Sequence, residues 1–177
     1  MRAKKKKSGR LTHVDERGAA RMVDVGGKVA TERRALAEGL VRLAPATRVR
    51  VRKNQMEKGD VLATARIAAI SATKRTAELI PLCHPLRIDA VSADLVLTGD
   101  GVRVRVEVRA HDRTGVEMEA LTGVAVGCLV VYDMVKAMDR TATIGDVRLL
   151  EKDGGKSGAW RRTARPPRKS SRGRTTR

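Results

Sequence analysis

Aromatic side chains are almost absent from this chain: its 177 residues include one Trp, one Tyr and no Phe. Any core must be built from Val, Leu, Ile, Ala and Met. The exposed rings on which bases stack in single-strand nucleic-acid platforms are also missing. Cysteine is nearly as scarce. Cys83 and Cys128 show no framework spacing, which is the usage of a reducing cytoplasm rather than of a disulfide scaffold. Long hydrophobic runs are lacking too. The longest uncharged stretch of the body, Ala120 to Tyr132, has 13 residues, short of the ~20 needed to span a bilayer and suited to a buried helix. The lysines at 4–7 have no apolar segment after them and so do not form a secretory signal. These absences point to a cytoplasmic protein without membrane association.

Acidic residues are outnumbered, 20 against 38 Lys and Arg, for a net charge of +18. Such a balance invites an anionic partner: a nucleic acid, a nucleotide or a membrane surface. Its placement narrows the choice. Residues 1–10 and 161–177 hold fourteen basic side chains and no acid, and the body between them carries only +4. The expected organisation is a single domain over 11–160 flanked by two basic tails, 1–10 and 161–177, with too little apolar surface to offset the entropy of ordering. Nucleic acid, if bound at all, is expected non-specifically through those tails.

Along the body, Val23, Val25 and Val29 around Gly26-Gly27 suggest a short strand and a turn. Thr31 is placed to cap a helix through Ala35, Leu36, Leu40, Val41 and Leu43, whose spacing marks one apolar face. Asp60 caps a second helix, which itself or with a successor runs on to Ile80 before Pro81. Alternation over Arg87–Leu97, the turn Thr98-Gly99-Asp100-Gly101, and Val102, Val104, Val106 and Val108 between charged residues predict a β-hairpin with one buried and one wet face. A long helix from about Glu119 to Met138 follows, then a strand through Ile144, Val147 and Leu149. Locally paired strands with helices on one side indicate an α+β two-layer domain with an antiparallel sheet.

Several segments look chemical rather than structural. The helix after Glu119 is apolar nearly all round, so it must be covered on all sides, and a subunit interface is the natural cover. Asp133 and Lys136 share one face at its end, either as a surface ion pair or as an acid–base pair at the rim of a covered surface. Pro81-Leu82-Cys83-His84-Pro85 is a stiff loop presenting a thiol and an imidazole, or simply a structural turn. No second ligand pair stands at zinc-like spacing. Glu117 and Glu119 precede the apolar helix, where carboxylates favour the N-terminal dipole or bond a polar ligand. Gly154-Gly155-Lys156-Ser157-Gly158 imitates a phosphate loop, but Leu150 stands where a P-loop requires its first glycine. Lys152 and Lys156 beside these glycines are still placed to meet a phosphate.

Taken together, the strings Leu79-Ile80-Pro81-Leu82-Cys83-His84-Pro85-Leu86 and Thr114-Gly115-Val116-Glu117-Met118-Glu119-Ala120-Leu121-Thr122 are highly specific. With Lys58-Gly59-Asp60-Val61, Tyr132-Asp133-Met134 and Gly154-Gly155-Lys156-Ser157-Gly158, the body resembles the cyclic pyranopterin monophosphate synthases, the molybdenum cofactor biosynthesis protein C family. Small departures are Ala69 in place of an expected glycine, and Gly123 and Gly127 in place of alanine-like residues. The resemblance implies a ferredoxin-like fold and a homohexamer (a trimer of dimers) with active sites between subunits; no cofactor is expected and no metal-ligating residue is assigned. It implies a lyase that converts 3′,8-cyclo-7,8-dihydro-GTP to cyclic pyranopterin monophosphate with release of pyrophosphate, in molybdopterin synthesis. Carried over residue by residue, the catalytic group matches Asp133 with Lys136 and Lys58, and substrate contacts match Leu82, Cys83, His84, Met118, Glu119, Lys152 and Arg33.

Overall fold

The computed structural model describes residues 18–163. Most of both basic tails therefore lies outside the described residues. Five strands and four helices follow one another as β1 (Thr31–Arg42), α1 (Pro45–Arg52), α2 (Val61–Thr73), α3 (Thr76–Leu79), β2 (Ile88–Leu97), β3 (Gly101–Asp112), α4 (Glu117–Val135), β4 (Thr143–Asp153) and β5 (Trp160–Arg161). The strands form one antiparallel sheet in the order β2-β3-β1-β4-β5, and the long helices pack on one face of it. This is the expected α+β, ferredoxin-like architecture.

The predicted hairpin is present as β2 and β3 in register from Leu97↔Val102 to Ile88↔Ala110, with one shift between Ile88 and Ala90. Val102, Val104, Val106, Val108 and Ala110 are fully buried under the helices. The opposite face of the sheet carries charges that satisfy one another. Glu38 accepts from Arg105 at 3.1 Å and Arg148 at 2.7 Å, and Arg34 reaches Glu107 at 2.6 Å and Glu151 at 2.7 Å.

Residues 31–42 correct the sequence reading: they form not a helix but the central strand. Ala, Leu, Glu and Arg are helix formers, and their intrinsic preference misleads here because tertiary context overrides it. The true period is two. Ala35, Ala37, Gly39 and Val41 face the helices, a stripe too small to stand out in a hydrophobicity pattern. That smallness lets α4 lie close, since a Cβ on Gly39 would sit 2.8 Å from Val124 Cγ1 and 2.9 Å from Cys128 Sγ. The strand expected at Val23–Val29 is likewise absent. Only its turn forms, with the Lys28 amide bonding Val25 O at 3.0 Å and Asp24 accepting from the Gly26 amide at 2.7 Å.

Asp60 caps α2 as expected, accepting from the Ala63 amide at 2.9 Å. Between α2 and α4, Ala69, Gly123 and Gly127 meet at one close contact. A Cβ on Gly123 would press on Thr73 Oγ1 and come within 3.1 Å of Ala69 O, and one on Gly127 would lie 3.3 Å from Ala69 Cβ. The small residues stand on α4, leaving room for Ala69 on α2. The Thr73 hydroxyl already bonds Ala69 O at 2.9 Å, so it has no free rotation with which to yield. Gly123→Ala gains ~1 kcal/mol of helix propensity and loses ~1–3 kcal/mol to overpacking. We expect a lower melting temperature by about 2–4 °C, read by circular dichroism; an unchanged or higher value would contradict this packing.

The sheet and α2 cover most of α4, of whose nineteen residues ten are buried. Outward it leaves Met118 and Leu129 exposed, and Ile67 on α2 and Val147 on β4 are also open to solvent. At the C-terminal edge of the sheet, Arg161 pairs with Glu151 in the short strand β5.

Candidate active site

The chemistry-bearing residues gather at the two ends of α4. At its N-terminal end Leu82, Cys83 and His84 come from the loop after α3, whose turn is closed by the Cys83 amide on Ile80 O at 3.0 Å. Together with Met118, Glu119, Val23, Val25 and Lys28 they line an open hollow of about 310 Å³. Glu119 is its deepest polar group, only 3 % exposed. Burial, and secondarily the negative charges of Glu117 and Asp112, push its carboxyl up to about 7. Burial, with Glu119 beside it, also raises the Cys83 thiol, so this thiol is not an activated nucleophile at neutral pH.

This hollow shares Lys28, Thr114, Gly115 and Glu117 with a second, basic recess of about 540 Å³ that also takes in Arg33, Arg113, Lys152 and Lys156. Arg33 is fixed across the sheet end, donating to Asp112 O at 3.0 Å and Arg113 O at 3.2 Å. Lys152 is held by Ser157 Oγ at 2.6 Å and Glu117 at 3.1 Å. Gly155 adopts φ +72°, and any Cβ there would strike the Arg33 guanidinium, so the glycine is what lets the loop close over this arginine. A polar hollow opening into a cationic one suits a ring system bearing a phosphate chain.

At the other end of α4, Asp133 accepts from Lys58 Nζ at 2.6 Å and Lys136 Nζ at 2.8 Å. Lys58 arrives from the loop after α1, turned by Gly59 at φ +87° and steadied where Asp139 accepts from the Ala44 amide at 2.7 Å at the start of α1. Lys136, and then Lys58, hold the Asp133 carboxyl down at about 2. The sequence suggests desolvation as the tuning force, but half of the Asp133 side chain is open to solvent. In this chain the lysines set its state. Lys58 also borders a neighbouring hollow with Met56, Met134 and Met138.

The fold thus brings together Arg33, Leu82, Cys83, His84, Met118, Glu119 and Lys152, and separately Lys58, Asp133 and Lys136. Glu119 and Asp133 stand fourteen residues apart on one helix, about 21 Å at 1.5 Å per residue. Lys28 and Arg113, which also line the basic recess, escaped the sequence reading. Their signal was position: Lys28 directly follows Gly26-Gly27, and Arg113 directly precedes the Thr114-Gly115-Val116-Glu117 string. Among the described residues no group of three His, Cys, Asp or Glu converges as a metal site.

The profile of the MoaC family matches residues 22–155, which take in both ends of α4 and every residue named in the two clusters. The chain belongs to the MoaC family. Its relatives include cyclic pyranopterin monophosphate synthases of Brucella ovis, 54 % identical over 155 residues, covering 86 % of this chain and 94 % of that protein. Another is that of Streptomyces coelicolor, 57 % identical over 154 residues, covering 87 % of this chain and 91 % of its own. MoaC membership gives the hollows a biosynthetic context: the family acts in making the molybdenum cofactor.

Glu119 also gives the site a pH signature. Between pH 4.5 and about 7 the folded chain keeps a proton on this carboxyl that the unfolded chain has released, so this group's contribution to stability falls as pH rises through that window. Glu119→Gln removes the effect. The melting temperature of the variant minus that of the wild type should therefore grow from pH 5 to pH 7.5, while the difference cancels the other carboxylates. A flat difference would show that Glu119 titrates normally.

Proposed function

We propose that this chain is a cyclic pyranopterin monophosphate synthase, a lyase converting 3′,8-cyclo-7,8-dihydro-GTP to cyclic pyranopterin monophosphate and pyrophosphate. The observation that carries this reading is the continuity of the Glu119–His84 hollow with the Arg33–Lys152 recess through shared Lys28, Thr114, Gly115 and Glu117. The purine-derived ring occupies the first, bonded by His84 and Glu119 and flanked by Leu82, Cys83 and Met118. The triphosphate lies in the second, where Arg33 and Lys152 stabilise the charge that builds on departing pyrophosphate. Forming a cyclic monophosphate requires a hydroxyl of the substrate to attack the α-phosphorus as pyrophosphate leaves. Opening and reclosing the ring system requires several proton transfers besides.

Asp133, Lys58 and Lys136 perform those transfers. Asp133 is a carboxylate at neutral pH and takes a proton, while the two ammonium groups give one. Because Asp133 is about 21 Å from Glu119 on a straight helix, a complete site draws one end of α4 from each of two copies. Exposed Ile67, Leu129 and Val147 offer apolar surface for such pairing, consistent with a homohexamer built as a trimer of dimers in the cytoplasm. Incubating the purified protein with the cyclised GTP derivative tests the reaction. The pyranopterin and one equivalent of pyrophosphate are expected, and substrate recovered unchanged would refute it.

A further inference from the structure

The family match ends at Gly155, yet the chain continues into an edge strand whose contacts converge on the neck of the basic loop. Lys152 pairs with Trp160 and Glu151 with Arg161, so residues 154–159 form a loop tied at its base. On the face of the sheet away from the helices, the Arg161 guanidinium grips Asp153 through two parallel bonds of 2.9 Å and 3.0 Å and lies 3.4 Å from Glu151. Asp153 also accepts from Arg34 at 3.2 Å. The next residue secures the end of the strand: the Arg162 amide bonds Leu150 O at 2.8 Å and its Nε bonds Leu149 O at 2.6 Å, with the guanidinium over the Trp160 ring.

Lys152 is in register with Ala35, which faces the helices, whereas Glu151 is in register with Leu36 on the opposite side. The clamp and the anion-facing lysine therefore occupy opposite faces of one strand. We propose that Arg161 and Asp153 are positioning residues: their bidentate pair closes the neck of the loop and so sets where Lys152, Lys156 and the Gly154–Gly155 turn meet the phosphate chain. This deepens the reading of the basic recess as the triphosphate site and rests on it. A fork-to-fork Arg–carboxylate pair constrains orientation as well as distance, which is what a glycine-rich loop with three left-handed residues, Gly154, Gly155 and Gly158, cannot supply by itself.

Positioning and simple charge make opposite forecasts at Asp153, which borders the recess. Removing a negative charge beside an anion site tightens anion binding by Coulomb's law, whereas opening the clamp weakens it. The probe is inorganic triphosphate, titrated calorimetrically into full-length wild type, Asp153→Asn, Arg161→Ala and Arg161→Lys, with melting temperature as the control for folding. Both Asp153→Asn and Arg161→Ala are expected to bind about tenfold more weakly, and Arg161→Lys to recover part of the loss. In turnover the same variants raise KM for the cyclised GTP derivative and leave kcat within about twofold. Tighter or unchanged binding by Asp153→Asn, or Arg161→Ala within twofold of wild type, would overturn the clamp. Triphosphate binding that follows the forecast in a wild type making no pyranopterin would support the clamp and overturn the reaction instead.

Discussion

Asp133→Asn should abolish formation of the pyranopterin, lowering kcat by about 10²–10⁴-fold, while leaving the fold and triphosphate binding intact. The side chain is half exposed, and its partners Lys58 and Lys136 are equally open, so its amide replacement leaves no buried charge without a partner. What the proposed mechanism loses is the carboxylate that takes the proton. Two ammonium groups hold the Asp133 carboxyl ionised far below neutral pH, and an amide accepts hydrogen bonds but takes no proton. The proposed pairing extends to the lysines, because without the carboxylate neither is held in place. Rate measurement with the cyclised GTP derivative under saturating conditions decides the matter. Turnover within tenfold of wild type would remove Asp133 from the chemistry, and a lost melting transition would move the effect to the fold.

What the sequence disclosed and what it hid follow from the same physics. The β2–β3 hairpin and α4 could be read directly, because large β-branched residues alternating with charges, and an uncharged run of thirteen, leave signals at periods of two and of a whole helix. Strand β1 could not. Its buried face is Ala35, Ala37, Gly39 and Val41, chosen small so that α4 comes close, and the large residues that do repeat, Leu36 and Leu40, mark a helical spacing by accident. In the site, the residue types were evident from two specific strings, but their grouping was not. Only the fold shows that Lys152 and Glu117 meet Arg33 and Glu119 at one end of α4 while Asp133 waits at the other. Nor does sequence carry burial. Glu119 and Glu117 are two residues apart and of one type, yet Glu119 is sealed in the fold while the Glu117 side chain stays partly open to solvent.

Mixing two dead variants should restore activity. Lys58→Ala disables the end of α4 that bears Asp133, and Lys152→Ala disables the basic recess at the other end, so each variant alone is expected to be inactive. If a site takes one end of α4 from each of two copies related by a twofold axis, a mixed pair contains one site with both lesions and one with neither. Random pairing at equal concentrations makes half of the pairs mixed, and each has one of its two sites intact. The co-folded mixture should then recover about a quarter of wild-type activity. A site contained within one chain forbids this result, since every chain in the mixture carries a lesion. The 21 Å implied by fourteen helical residues leaves Asp133 of the same chain remote from a substrate whose ring and phosphates both lie in the hollows at the Glu119 end. The mixture is prepared by co-expression or by joint unfolding and refolding, because preformed assemblies exchange subunits slowly if their interfaces are large. Pyranopterin formed per milligram is then compared with each parent treated identically. Activity no greater than that of the parents would confine the site to one chain and detach Asp133, Lys58 and Lys136 from the hollow at Glu119.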